Sequence, residues 1–127
     1  SPYEGEDISS ILMEIDTRLP LDENGYPTLL LNPNTHQTIH RIKGSLTRDG
    51  KPVNMVKVGW GSNHYWEYDG QLVPIVNGSS YSNEDGEVNT MIGIVHSMVN
   101  DTITIFYGFY DDCKSEEMID EFQIIIK

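Results

Sequence analysis

The sequence lacks most of the features that cross-link a chain or insert it into a membrane. Cys113 is the single cysteine among 127 residues, so no disulfide can form within the chain. Its acidic neighbours Asp111 and Asp112 favour the neutral thiol over the reactive thiolate, and we expect a bystander cysteine. No run of about 18 apolar residues could form a transmembrane helix. The sequence therefore predicts no membrane insertion.

Basic residues are also scarce. The chain has 8 Lys and Arg against 20 Asp and Glu, and its formal net charge is −12. A surface this negative repels phosphate groups, so we expect neither nucleic acid nor an anionic membrane as a partner. The same charge keeps a domain soluble and is compatible with cation binding.

Motifs of known catalytic sites are missing as well. The sequence has no nucleophile elbow, phosphate-binding loop or dinucleotide fingerprint. His36 and His40 have the spacing that binds zinc on a helix, but they fall in a β-patterned segment. On a strand they would lie about 13 Å apart, too far for one metal ion. We expect no transition metal, no cofactor and no enzymatic activity. A small hydrolase whose carboxylates meet only in space stays open.

The residues that are present alternate between apolar and polar in short runs that end at turn residues. This pattern predicts strands, and the turn signals recur as they do in β-sandwiches. The predicted strands are 11–16, 28–31, 38–46, 53–60, 72–76, 88–95, 102–110 and 122–126. Pro74 marks 72–76 as an edge strand. Residues 61–71 read as a loop, and Ser115 to Asp120 is the one helix candidate, a single turn.

The alternation also predicts which side chains form the core. We expect two packed antiparallel sheets, one domain over residues 10–127, and a flexible acidic tether over residues 1–9. The side chains expected to face inward are Ile42, Val56, Val58, Trp60, Ile92, Ile103, Ile105, Phe122 and Ile124.

Two turn-and-strand patterns carry a family resemblance. Lys43 to Val53 reads Lys-Gly-Ser-Leu-Thr-Arg-Asp-Gly-Lys-Pro-Val, followed by Val56-Lys57-Val58, and Ser82 to Val88 reads Ser-Asn-Glu-Asp-Gly-Glu-Val. These patterns, with the aromatic end of 102–110, resemble carboxypeptidase regulatory-like and bacterial Big-type domains. The resemblance implies an immunoglobulin-like (prealbumin-like) antiparallel β-sandwich of about seven to eight strands.

The start of the chain carries a second resemblance. Residues 1–9 are similar to the segment that follows the lipidated cysteine of bacterial lipoproteins, notably surface-exposed ones of the Bacteroidetes type. The resemblance implies a lipid anchor upstream of Ser1 and a cell-envelope or extracellular location. A cytoplasmic location stays open, since one cysteine suits either compartment.

The aromatic residues at 60–68 are the most distinctive candidate site. We expect Trp60 in the core, and His64, Tyr65, Trp66 and Tyr68 as the candidate ligand-binding residues. An exposed set of rings suits sugars or protein hot spots. The alternative, which we favour, is that Trp66 closes one end of the sandwich.

Acidic turns supply weaker candidates. Asp85, Asp111 and Asp112 could contribute hard oxygen ligands to Ca²⁺, although none fits an EF-hand spacing. Asn77 and Asn100 begin glycosylation sequons, which matter only in a eukaryotic secretory pathway.

Together these features predict a non-catalytic domain of a bacterial cell-envelope or secreted protein, used for adhesion, assembly or display. We expect its partner to be a protein or a glycan. One alternative is a carbohydrate-binding module that uses the aromatic loop. A small hydrolase or a ligand-binding barrel is the other.

Overall fold

The computed structural model of the chain describes residues 11–15, 19–111 and 116–127, and within them it leaves out the side chains of Tyr68, Asp111, Glu116 and Met118. The predicted tether, residues 1–9, and Cys113 lie outside the described residues.

The described residues are organised as β-strands with a single 3-10 turn at His96–Met98. In chain order the strands are β1 (Leu12–Ile15), β2 (Thr28–Leu29), β3 (Gln37–Arg48), β4 (Lys51–Pro52), β5 (Lys57–Ser62), β6 (Tyr65–Tyr68), β7 (Gln71–Pro74), β8 (Ser79–Tyr81), β9 (Glu87–Val95), β10 (Thr102–Asp111) and β11 (Glu116–Ile126). No helical segment in this part of the chain has the length and apolar character that crossing a bilayer requires.

The strands form two sheets and a separate hairpin. In the four-stranded sheet, β3 pairs with β1, β4 and β9, all antiparallel. The five-stranded sheet has the order β2-β11-β10-β5-β8, in which only the short β2 runs parallel to its neighbour. Strands β6 and β7 pair with each other. The prediction of an all-β sandwich is confirmed.

The apolar residues of the two sheets meet in one core. Ile42, Leu46 and Ile92 of the four-stranded sheet and Ile103 and Ile105 of the five-stranded sheet are buried in the same cluster. Most residues predicted to face inward are buried, as the period-2 alternation requires. Val56 and Phe122 are partly buried and pack against this cluster.

An aromatic cluster lies on the inner side of the five-stranded sheet. The Tyr107 ring is tilted against Trp60 and Phe122, with centroid distances of 6.1 and 6.0 Å. The Trp60 indole N–H donates to Ser80 Oγ at 3.0 Å, so this buried ring has its polar atom satisfied. The Tyr107 hydroxyl donates to Asp120 Oδ2 at 3.3 Å. Trp60 is a core residue, as predicted.

Three local predictions are wrong. Residues 61–71 are not a loop, because they contain the end of β5, all of β6 and the start of β7. Glu116 to Asp120 is strand and not helix, since its backbone pairs with β10 from Asp111↔Glu116 onward. The predicted strand 53–60 begins only at Lys57 because Met55 adopts a left-handed φ of 61°.

Gly86 can be tested against a second glycine of similar backbone conformation. Its φ is +74°, and a Cβ there would collide with the carbonyl oxygen of Leu46, whereas Gly25 has φ +84° and no atom near its would-be Cβ. We expect Gly25→Ala to cost about 1 kcal/mol from backbone strain alone. Gly86→Ala should cost about 3 kcal/mol because strain and collision add. Urea unfolding measures both, and equal costs would contradict this account.

Tyr107 gives a prediction for pH dependence. Burial, then the negative charge of Asp120 and the hydrogen bond to it, raises the pKa of the Tyr107 phenol above its ordinary 10.0. Because the folded pKa is the higher one, the stabilising contribution is complete below about pH 10 and is lost as the pH rises through the folded pKa. We expect the free energy of unfolding to fall less steeply in Tyr107→Phe than in the parent between about pH 9 and pH 11. Parallel curves would argue against this role.

Candidate functional site

The aromatic segment folds as a tight hairpin. Asp69 and Gly70 join β6 to β7, and both have positive φ values, 48° and 77°. This is the signature of a type I′ turn, which matches the twist of the strands it joins. Tyr65↔Pro74 and Trp66↔Val73 are in register, so the aromatic residues of β6 face partners on β7.

A buried serine closes the base of the hairpin. Ser62 is 4% exposed, and its hydroxyl donates to the carbonyl of His64 at 2.9 Å and accepts from the Val76 N–H at 3.2 Å. The Ile75 N–H donates to the same carbonyl of His64 at 2.9 Å. The two ends of the hairpin are therefore joined where it leaves the core.

Asn63 attaches the same base to the five-stranded sheet. Its N–H donates to the Thr104 carbonyl at 3.1 Å, and its Oδ1 accepts from the Thr104 N–H at 2.9 Å. The ring of His64 continues the contact, with Nδ1 3.0 Å from Asn63 Oδ1 and Nε2 3.6 Å from Asp101 Oδ2. The hairpin consequently has a fixed position relative to β10.

The structure brings the predicted ligand-binding residues onto this one hairpin but not onto one surface. Tyr65 is 52% exposed, and Trp66 is partly buried and packs against the core. Adjacent residues of a strand point to opposite faces, so the two rings do not form a shared platform. His64 sits at the base, and the side chain of Tyr68 lies outside the described atoms.

Trp66 also faces an open groove of about 600 Å³, called here the hairpin groove. Its lining residues are His36, Gln37, Trp66, Glu67, Val73 and Val95. Gln37 and Val95 are cross-strand partners at the end of the β3–β9 ladder. The groove therefore lies between the hairpin and this end of the four-stranded sheet.

The lining combines an apolar wall with polar groups. Trp66, Val73 and Val95 supply the apolar surface, while His36 and Glu67 supply donors and acceptors for hydrogen bonds. Pockets of this size, mostly apolar with a few polar groups that orient the ligand, are typical of small-molecule sites. The groove can stack a ring on the indole and hydrogen-bond its substituents.

The weak calcium candidates are not brought together by any described contact. Asp85 lies in an exposed turn, in which Asn83 Oδ1 accepts the backbone N–H groups of Asp85 and Glu87 at 2.9 Å each. The side chain of Asp111 and the whole of Asp112 fall outside the described residues. Within residues 11–15, 19–111 and 116–127, no three or more His, Cys, Asp or Glu side chains have an arrangement that could hold a metal ion.

Trp66 and its exposed neighbour Tyr65 provide a stability test. A fully buried Trp replaced by Ala costs about 3–5 kcal/mol, so we expect about 2 kcal/mol for the half-buried ring in Trp66→Ala. Tyr65→Ala should stay within about 0.5 kcal/mol, because more than half of that side chain is in solvent. Chemical denaturation measures the loss of unfolding free energy in both variants. An unchanged unfolding midpoint for Trp66→Ala would show that the ring does not close the sandwich end.

Comparison of the chain with models of known protein families and with curated proteins finds no match.

Proposed function

We propose that the chain is a non-catalytic binding domain of a secreted or cell-envelope protein, and that it binds a glycan in the hairpin groove. The observation that carries this proposal is the half-buried Trp66 ring, which packs on the core on one side and faces a groove of about 600 Å³ on the other. Sugar rings present apolar C–H faces to aromatic side chains and hydroxyls to polar ones, and the groove offers both.

The anchoring of the hairpin supports a binding role. Ser62 and Asn63 hold its base through hydrogen bonds to both ends of the hairpin and to β10. A site fixed before the ligand arrives loses less conformational entropy on binding. The Trp66 wall of the groove is thus positioned in the free protein.

Charge selects among glycans. The chain carries a net charge of −12, and Glu67 lines the groove. Anionic sugars would meet like charge, so the ligand that fits is a neutral oligosaccharide. Among the described lining residues one carboxylate is present, that of Glu67, whereas glycoside hydrolysis ordinarily uses two carboxyl groups. This favours binding over cleavage.

The module type and location form part of the same proposal. The pattern that resembles carboxypeptidase regulatory-like and Big-type domains coincides with the end of β3, the Asp49–Gly50 turn and β4, and its second part leads into β9. We infer an immunoglobulin-like, prealbumin-like module that displays the groove in adhesion, on a lipoprotein anchored before Ser1. The proposed location can be tested by reading the codons upstream of Ser1. We expect them to encode a signal peptide and the cysteine that carries the lipid.

Calorimetric titration with neutral oligosaccharides tests the binding function. The probes are hexasaccharides of β-1,4-glucose, α-1,4-glucose and β-1,4-mannose, with mucin O-glycans as a branched set. We expect at least one to bind, and Trp66→Ala to weaken that binding at least about tenfold, as aromatic hot spots do. Glu67→Gln should weaken it less, because the amide keeps part of the hydrogen bonding.

Tyr65→Ala is the matched control, since it removes an aromatic ring from the same hairpin but not from the groove. It should leave the affinity unchanged. The proposal fails if no glycan binds the folded protein, or if Trp66→Ala and Tyr65→Ala affect binding equally.

A further inference from the structure

A second surface lies on the outer face of the five-stranded sheet. It is a trough of about 310 Å³ whose floor contains Gly59 and Gly61 of β5 and Gly108 of β10. Gly108 pairs with Gly59 across the strands, so two bare backbone positions lie side by side. Phe106 and Ile119 also line this outer trough, which shares no lining residue with the hairpin groove.

The backbone does not require glycine at 59 or at 61. Neither Gly59 nor Gly61 has a positive φ, and a Cβ built on them would come no closer than 3.9 and 4.0 Å to its neighbours. A strand glycine weakens the strand, because it loses more conformational entropy on folding and packs no side chain. Steric constraints of the fold therefore do not explain why Gly59 and Gly61 leave this part of the surface open.

Exposed apolar and aromatic side chains stand around this floor. Phe106 is 38%, Tyr110 56% and Ile119 67% exposed. The register places Glu121 opposite Phe106 and Glu117 opposite Tyr110. Phe106 and Glu117 line the trough, and their cross-strand partners Glu121 and Tyr110 complete two pairs, each of an aromatic residue opposite a glutamate. Phe106 and Tyr110 are four strand residues apart, so the two pairs lie about 13 Å from each other.

An aromatic ring next to a carboxylate recognises positive charge. The face of the ring attracts cations through its quadrupole, and the carboxylate accepts charge-assisted hydrogen bonds from arginine or lysine. Glu117 and Glu121 are exposed, and the whole chain carries a charge of −12. A second copy of the chain would bring the same net negative charge to this face, and a neutral glycan would make no use of the charge of either carboxylate.

We propose that the outer trough is a docking site for a basic segment of a partner protein. Two basic side chains of that segment pair with Glu117 and Glu121. One of the two, an arginine or a lysine, lies over Gly59 and Gly108 beside Phe106. The planar guanidinium of arginine fits best, because it stacks on flat surfaces and binds carboxylates with two parallel hydrogen bonds. The inference is independent of the glycan proposal.

Fluorescence anisotropy with labelled peptides tests this site. The probes are extended peptides with two arginines separated by three neutral residues, the corresponding peptide with one arginine, and the form with both replaced by glutamine. We expect the two-arginine peptide to bind most tightly and the glutamine peptide at least about tenfold more weakly. Binding should weaken as the salt concentration rises.

Protein variants locate the peptide. Glu117→Gln/Glu121→Gln should weaken binding at least about tenfold, while Glu23→Gln/Glu84→Gln, with the same loss of charge in turns away from the trough, should change it less than about twofold. Gly59→Val fills the floor with a good strand former, so we expect it to fold at least as stably as the parent and to lose the peptide. Phe106→Ala should also weaken binding.

Three results would overturn the proposal. The first is an equal effect of the trough pair and the turn pair, which would mean attraction to overall charge alone. The second is equal binding of the arginine and glutamine peptides, which would mean an apolar contact. The third is that the parent binds no peptide, while Gly59→Val loses affinity for a neutral oligosaccharide that the parent binds. That result would mean that the trough holds a sugar. Trp66→Ala should leave peptide binding unchanged, which separates this site from the hairpin groove.

Discussion

The pairing of β10 on both of its edges is the constraint on which the other features depend. This strand pairs with β11 along its whole length and with β5 through its central residues, Ile105 to Phe109. Its inward residues build the core, and its outward residues Phe106 and Gly108 contribute to the outer trough. The backbone of Thr104, on the same strand, holds Asn63 and with it the base of the hairpin. One strand thus joins the core to both proposed binding surfaces.

The two surfaces differ in the kind of partner they can hold. The hairpin groove has an indole, two valines and a few polar groups, which suits a neutral ligand with one apolar face. The outer trough is smaller, about 310 Å³, and has Glu117 in its lining and Glu121 opposite Phe106, which suits a positively charged partner. Because the two surfaces share no lining residue, the occupant proposed for one does not need the side chains proposed to hold the other.

The period-2 alternation made the core predictable, because β10 buries Ile103, Ile105, Tyr107 and Phe109 in alternation, and the second half of β3, β9 and the end of β11 follow the same period. It failed where the elements are short. β8 has three residues, too few to show a pattern. Asp69–Gly70 has the same residues and similar positive φ values to the Asp49–Gly50 turn, but the aromatic residues before it do not alternate clearly with polar ones, so the sequence predicted a loop there. Trp66 could be singled out by composition. The opposite wall of its groove could not, since Gln37 and Val95 meet only through the register of a ladder between strands distant in sequence.

The placement of the two tryptophans has an optical consequence. Trp60 lines the outer trough from within the sheet and is 6% exposed, and Trp66 lines the hairpin groove and is partly open to solvent. The chain has no other indole. Each surface therefore contains its own intrinsic fluorophore, one shielded from aqueous quenchers and one accessible to them. Emission wavelength and quenching by acrylamide would report the two surfaces separately in the unlabelled protein.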